Sequence, residues 1–433
     1  MGLTAEEPFV SHRLSAWMEH WGPVLPLLIA EGVIALGFGA ILPILPLYYT
    51  AHGVDLPTLG LVVAAWPAAR LFGEPLFGRL ADRTSRKWLM VGALVVSAVV
   101  IVLPLFAVGP TAFVLLRAMA GLAASAYDPA ARGYLVDANL PEQQGETFGL
   151  YSAAQMGGFM VGPAVGGIAA AVTGEPTVVF WVCGVAFAVS ALFVAVRVAD
   201  RPRARAAVVD PAAGPAAPEA AGRQPRRLLN RLLMVALILN VGSYLASGTY
   251  EVIWSVYMTS LGASIALIGV SFFTFSLPVM LLSPFTGRYV DRRGGYIALV
   301  VGTVGFATCG VVYPLVPSVW WMVGLGLVEG AAAALSSPAL YTLVARASPA
   351  GRSSTAQGMF GAAGTAGTIV ASIAAGYLAS IDLRLPFIAS GLTTLVILFV
   401  GSAVGGRGLW AAMQPAHLGT PATAATRPAE GTS

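Results

Sequence analysis

A short polar segment occurs twice in this otherwise apolar chain and indicates its architecture. Residues 78–83 read Gly-Arg-Leu-Ala-Asp-Arg, and residues 287–292 read Gly-Arg-Tyr-Val-Asp-Arg. The second copy begins 209 residues after the first (287 − 78), and each copy lies between two long hydrophobic runs. A charged turn that is duplicated in this way indicates a chain built from two similar halves.

The composition excludes a water-soluble protein. Hydrophobic residues make up 57% of the 433 residues and charged residues only 10%. Runs of about 20 apolar residues, enough to cross a hydrocarbon core as helix, recur along the chain. The runs are too long for barrel strands and lack their alternation. We therefore predict an all-α membrane protein with twelve spans, at 24–48, 56–77, 87–107, 111–136, 146–172, 177–197, 231–258, 264–286, 296–315, 319–345, 353–379 and 385–404.

These spans divide the chain into two six-helix bundles, residues 24–197 and 231–404. Residues 198–230 are rich in Ala, Pro and Arg and are predicted to be a disordered linker. Residues 405–433 are predicted to be a disordered tail. Residues 1–23 lack the layout of a cleavable signal, and their apolar residues fall on one helical face, which leaves an interfacial helix as an open alternative.

The distribution of arginine predicts the orientation. Arginines cluster in the turns at 78–87 and 287–295 and in the linker. The loops on the other side carry no Lys or Arg: 49–55, 108–110, 173–176, 259–263 and 316–318. Because positive loops stay in the cytoplasm, we expect both repeated turns, the linker and both termini there. In a bacterium this corresponds to the inner membrane.

Two motifs resemble signatures of the major facilitator superfamily. The pattern Gly78-x-x-x-Asp82-x-x-x-Arg86-Lys87 resembles the loop 2–3 signature, with Ser85 where glycine is usual. The fifth span matches the full signature of drug:proton antiporters, which consists here of Gly149, Gly158, Gly162, Pro163, Gly166 and Gly167. The residues around Arg117 resemble the fourth-span arginine signature more weakly. The resemblance implies a major facilitator fold of 12 transmembrane helices in two pseudo-symmetric six-helix bundles, and export by exchange with protons.

The resemblance also implies a conformational latch around Gly78, Asp82, Arg86 and Lys87. Asp82 would dock on the start of the eleventh span, because a carboxylate is stabilised at a helix N-terminus. Arg86 would pair with Asp128 of the fourth span. The alternative is an ordinary solvated loop.

In the fifth span, Gly158, Gly162 and Gly166 are four residues apart and form one stripe, along which another helix can approach closely. Pro163 can bend this helix. Close packing here would seal the outer side during transport. Generic packing of small residues is the alternative, and Gly149 lies on the opposite side of the helix.

Charged residues inside spans are costly and usually functional. Proton coupling is a hypothesis for three acids, Glu31, Glu251 and Glu329, and a buried polar contact is the alternative for each. By the resemblance, Arg117 tunes proton affinity or holds a carboxylate. Arg70 and Glu74, four residues apart, are interpreted as a structural ion pair.

Five aromatic residues are candidates for a substrate cavity: Trp66, Tyr151, Tyr250, Trp254 and Phe275. An apolar cavity with a few acids suits amphipathic, often cationic compounds. The sequence has no phosphate-binding Gly-Lys-Ser/Thr loop and no histidines at metal-ligand spacing, so we expect no enzyme, cofactor, metal or nucleic-acid partner. The chain is expected to be monomeric. A nutrient importer or facilitator and a membrane receptor that transports nothing remain alternatives.

Overall fold

The computed structural model describes residues 21–22, 24–81, 83–138, 144–200, 229–348 and 353–414. These residues form helices and short turns, with no β-strand among them. Among these residues, twelve helices are long and apolar enough to cross a membrane. The predicted all-α fold with two six-helix bundles is confirmed.

We number the spans α1 to α12. The first is interrupted at residues 42–44, and the third and ninth continue into short 3-10 turns. Their bounds are Leu25–Ile41 with Leu45–Ala51 (α1), Leu56–Ala81 (α2), Arg86–Val102 (α3), Pro110–Ala138 (α4), Gln144–Thr173 (α5), Val178–Arg197 (α6), Arg231–Ser260 (α7), Ile265–Arg293 (α8), Tyr296–Val312 (α9), Val319–Ala347 (α10), Ser353–Ile381 (α11) and Leu385–Ala412 (α12).

Polar residues begin several of these helices. Asn230 accepts a hydrogen bond from the Leu233 backbone N–H (2.8 Å) at the start of α7. Ser85 and Ser264 do the same, at 3.3 Å, at the starts of α3 and α8. Such caps satisfy backbone donors that have no partner inside the helix.

The helix ends define two faces of the molecule. We call the end that holds the 81–86 turn the motif face, and there Ser85 donates to Asp200 (2.8 Å) and Asn230 donates to the Ala347 carbonyl (2.7 Å). We call the other end the sealed face. Its turns include Gly53 and Gly262, 209 residues apart, with φ of 80° and 85°. Glycine adopts this left-handed backbone without the steric cost of a Cβ.

The two bundles touch most closely near the sealed face. A Cβ built on Gly376 of α11 would lie 3.0 Å from the Cα of Gly60 in α2. A Cβ on Gly269 of α8 would lie 2.5 Å from the carbonyl oxygen of Pro163 in α5. Nearer the motif face, glycines of the same helices have nothing within 4 Å of such a Cβ, as at Gly287 and Gly361. The bundles therefore meet at one end and separate toward the other.

The predicted boundary at residue 404 is wrong. Helix α12 continues to Ala412, past a bend at Gly406 (φ 50°, ψ −139°). Leu409 and Met413 are then buried against the second bundle, and Arg346 donates to the Ala412 carbonyl (2.9 Å). Burial of these apolar side chains explains why the helix continues. The remaining tail, nearly all of the predicted linker and residues 1–20 lie outside the described residues.

Candidate functional site

A cavity of about 550 Å³ lies between the bundles. Most of its wall comes from α7, α8 and α10, and Leu42 and Met156 contribute from the first bundle. Three of the predicted aromatic residues line it, namely Tyr250, Trp254 and Phe275. Among the described residues, the only charged side chains in its lining are Glu251 and Glu329.

Glu329 is held in the cavity wall by two tyrosine hydroxyls. It is 2% exposed, and its Oε1 and Oε2 accept hydrogen bonds from Tyr250 and Tyr313, both at 2.7 Å. The Trp254 ring meets the Tyr313 ring edge-on, with centroids 4.8 Å apart. No cationic side chain forms an ion pair with Glu329 in the part of the chain that the structure describes. The carboxyl group is thus fixed among aromatic rings, with no counterion from the described residues.

Glu251 forms an ion pair that connects the two bundles. Arg117 Nη2 of α4 lies 2.6 Å from Glu251 Oε1 of α7. Arg117 is 3% exposed and the Glu251 side chain is 22% exposed. Both residues were predicted from the sequence to be functional, but their pairing was not predicted. The depth of the two residues in the membrane is a signal for the pair. Arg117 is seven residues from the start of α4 and Glu251 is nine residues from the end of α7, and both of these helix ends lie at the sealed face. The two side chains are therefore at a similar depth.

Glu31 lies inside the first bundle and does not line the cavity. Its Oε2 accepts a hydrogen bond from Tyr127 (3.0 Å), its Oε1 accepts one from Gln155 (2.8 Å), and Tyr151 also bonds to it. Tyr151 and Trp66 do not line this cavity, so their place in a substrate cavity stays a prediction. Tyr151 is hydrogen-bonded to the Glu31 carboxyl group.

The predicted ion pair of Arg70 and Glu74 is present, with Nη2 and Oε1 2.5 Å apart. The same Arg70 nitrogen lies 2.5 Å from Asp128 Oδ2, and the guanidinium stacks over the Trp66 ring at 4.7 Å. Arg70 thus connects α2 to α4, a link that was not predicted from the sequence.

The expected contact of Arg86 with Asp128 is wrong. Arg86 instead contacts Asp137 and the Gly133 carbonyl, which lie nearer the end of α4 at Ala138. Asp128 is already held by Arg70, which explains the difference. Asp82 lies outside the described residues. Lys87 lies over the ring of its neighbour Trp88, with Nζ 5.2 Å from the ring centroid.

The glycine stripe of the fifth span packs against α1 inside the first bundle. A Cβ on Gly158 would lie 2.5 Å from the Gly32 carbonyl oxygen of α1, and Gly162 and Gly166 contact α1 one and two turns further. The seal with α8 comes instead from Pro163 and from Gly167, whose Cβ would lie 3.1 Å from the Cα of Ala266. Gly149 is helical, but its surroundings lie outside the described residues.

Two groups of known proteins are similar to this chain. The quinolone resistance protein NorA of Staphylococcus aureus is 34% identical over 143 residues, which are 33% of this chain and 36% of that protein. The Staphyloferrin B transporter of Staphylococcus aureus is 27% identical over 169 residues, 38% of this chain and 40% of that protein. The match therefore spans well under half the length of either relative.

Two solved structures share the fold. A bacterial homolog of the human lysosomal transporter Spinster, in an inward-facing and occupied conformation, has a TM-score of 0.68 at 14% identity and covers 94% of this chain and 97% of that one. A mutant of the nucleoside transporter NupG also has a TM-score of 0.68, at 16% identity, with 88% and 99% covered. The model of the Major Facilitator Superfamily matches residues 27–250 and 236–407, so both halves are included. The chain belongs to the Major Facilitator Superfamily, a family of multi-pass membrane transporters rather than enzymes.

Proposed function

We propose that this protein is a proton-coupled antiporter that exports amphipathic, cationic small molecules by alternating access. The observation that carries the proposal is the cavity lining, in which two carboxyl groups are the only charged side chains among the described residues. The likeness to NorA and the complete antiporter signature of the fifth span support the same conclusion.

The cavity chemistry fits a cation with an apolar body. Glu329 has no counterion among the described residues, and the rings of Tyr250 and Trp254 are adjacent, with centroids 5.4 Å apart. Aromatic faces attract cations with roughly 0.5–2 kcal/mol each. Apolar surface buried against Phe275 and its neighbours adds about 25 cal/mol per Å². A lipophilic cation gains from both terms, whereas an anion is repelled.

Exchange follows if the proton and the cation compete for the same carboxyl groups. A proton on Glu329 removes the charge that holds the cation, and a bound cation excludes the proton. Each ligand can then move the protein only through its differential affinity for the two conformations. We assign this competition to Glu329 and Glu251, since they line the cavity and Glu31 does not.

The orientation completes the proposal. The motif face, which holds Arg79, Arg86 and Lys87, would be cytoplasmic by the positive-inside rule, in the inner membrane of a bacterium. Arg384 is the one cation of the described turns at the sealed face. The described conformation then has its bundles closed on the outside, which suits loading of substrate from the cytoplasm.

The test is transport by purified protein in proteoliposomes that enclose DNA, with ethidium added outside. An acidic interior should drive ethidium uptake in exchange for internal protons, and a protonophore should abolish it. Glu329→Gln should show no driven uptake, and Glu74→Gln, an acid outside the cavity, should retain it. Uptake driven only by an acidic exterior would indicate an importer. Binding without flux would indicate a receptor.

A further inference from the structure

The guanidinium of Arg117, which pairs with Glu251 across the two bundles, uses only part of its hydrogen-bonding capacity. Arg117 Nε, Arg117 Nη1 and the Tyr49 hydroxyl are buried and have no hydrogen-bond partner among the described residues. Arg117 is 3% exposed and Tyr49 is 1% exposed. Buried polar atoms in native proteins are nearly always satisfied, so three such atoms together indicate a site for another group.

The three atoms belong to one place in the fold. The ring of Tyr49 in α1 packs against the ring of Phe113, which lies one turn before Arg117 on α4, with centroids 4.9 Å apart. Arg117 in turn lies 2.6 Å from Glu251 of α7, and the charges of Arg117 and Glu251 both act on the Tyr49 hydroxyl. Three helices from both bundles therefore converge near the sealed end of the cavity. Among the described residues, Arg117 of α4 is the charged group that contacts Glu251. Glu329 of α10 lies elsewhere in the cavity wall and accepts its hydrogen bonds from Tyr250 and Tyr313.

The chemistry of the site selects an acceptor with a negative charge. A guanidinium only donates hydrogen bonds, and a tyrosine hydroxyl can donate one. In the described arrangement the Glu251 carboxylate supplies the balancing charge at 2.6 Å. If Glu251 takes up a proton, the buried guanidinium loses its counterion, which is strongly unfavourable.

We propose that Arg117 and Tyr49 form a binding site for a small monovalent anion, such as chloride or a short carboxylate, which replaces the Glu251 carboxylate when that group is protonated. The proton and the anion then enter together, so the buried charge stays balanced. The same exchange releases the link between α4 and α7 and so separates the bundles at the sealed face. The site does not depend on which compound the protein exports.

The test is thermal unfolding of the full chain in detergent at constant ionic strength, with gluconate replaced stepwise by chloride. Gluconate is a much larger monovalent anion than chloride and serves as the reference anion. In Glu251→Gln, which imitates the protonated acid, chloride should raise the unfolding temperature saturably, by roughly 2 °C or more. The wild type at neutral pH should respond much less. Addition of Tyr49→Phe should weaken the response, and addition of Arg117→Gln should abolish it.

Matched variants separate this site from general salt effects. Glu251→Gln combined with Arg384→Gln removes an exposed arginine at the sealed face and should keep the full chloride response. The same titration with acetate in place of chloride shows whether the site also binds a short carboxylate, which would raise the unfolding temperature in the same way. If Glu251→Gln does not fold, calorimetric titration of the wild type with chloride should show tighter binding at acidic than at neutral pH. No chloride response in either experiment, or an equal response without Arg117, would overturn the proposal.

Discussion

Gly60 of α2 and Gly376 of α11 face each other across the two bundles so closely that a Cβ on either would lie 3.2 or 3.0 Å from the Cα of the other. The same contact recurs on the other side of the molecule. Gly60 and Gly269 are 209 residues apart, as are Gly376 and Gly167, and Gly269 packs on α5 as Gly60 packs on α11. The internal repeat thus places one glycine crossing on each side of the sealed face.

A methyl group at this crossing should hold the bundles apart. In Gly376→Ala the new Cβ would meet the Leu56 carbonyl oxygen, which is backbone and cannot move easily. Overpacking costs roughly 1–3 kcal/mol, which shifts a two-state equilibrium about 5- to 150-fold. We expect export to fall about tenfold or more at unchanged membrane abundance, as measured by ethidium efflux.

Two variants make this result specific. Gly361→Ala lies on the same helix with open space around its Cβ and should export normally. Gly269→Ala, at the symmetry-related crossing, should behave like Gly376→Ala. Equal activity of Gly376→Ala and Gly361→Ala would show that the close contact does not control transport.

The ion pair of Arg117 and Glu251 predicts an asymmetric response to mutation. Removal of one partner of a buried pair costs about 3–5 kcal/mol when a charge is left buried. Glu251→Gln leaves a guanidinium that is 3% exposed, whereas Arg117→Gln leaves a carboxyl group that is 22% exposed and borders the cavity. In chloride-free buffer, Glu251→Gln should therefore lower the unfolding temperature more than Arg117→Gln does.

The double variant completes this experiment. Arg117→Gln with Glu251→Gln leaves no buried charge, so its loss should be smaller than the sum of the two single losses. Additive losses would mean that the two side chains do not interact in solution.

The repeat made the architecture predictable, because both copies of the turn and the long apolar runs follow from composition and spacing alone. The side-chain pairs were harder, because the rotation of each helix about its axis is set by packing that one sequence does not reveal. Asp128 and Asp137 illustrate this limit. Both lie on α4, nine residues apart, and either is within reach of a cation from the motif face. The structure assigns the first to Arg70 and the second to Arg86.

The cavity residues show the same limit. Tyr250, Trp254 and Phe275 were expected there and line it, whereas Trp66 and Tyr151 were expected there and do not. The first bundle presents little of its surface to this cavity in the described conformation. Aromatic residues inside an apolar span carry no signal that distinguishes a cavity wall from a helix contact.

Glu329 should increase the affinity of the protein for a cationic compound but not for a neutral compound of the same size. Opposite unit charges 4 Å apart attract by about 4 kcal/mol at an effective dielectric constant near 20, and desolvation offsets part of this. Glu329→Gln should therefore weaken binding of ethidium by roughly 10-fold or more. A neutral compound of similar size should bind both proteins equally. Calorimetric titration in detergent measures both, with Glu74→Gln as the control acid. An equal loss for the neutral compound would assign Glu329 a structural role.

Glu31 should behave as a structural residue despite its place in the first span. Both carboxyl oxygens accept hydrogen bonds, from Tyr127 and Gln155, whereas a glutamine amide has a single accepting oxygen and cannot keep both bonds as they are. A buried group left unsatisfied costs about 1–3 kcal/mol. Glu31→Gln should therefore unfold at a lower temperature and still release protons when ethidium is added. A stable Glu31→Gln without proton release would instead make Glu31 the coupling acid.

The position of Arg86 can be tested by double-mutant cycles at the motif face. Arg86 and Asp137 should show an interaction energy of about 0.5–3 kcal/mol, because they are in direct contact. The stability losses caused by substitution of Arg86 and of Asp128 should be nearly additive, since Asp128 is paired with Arg70 at 2.5 Å. Asp82→Asn should reach the membrane and export poorly if the turn acts as a latch. If the cycle couples Arg86 to Asp128 instead, the arginine changes partner between conformations, because in the described one its contacts are Asp137 and the Gly133 carbonyl.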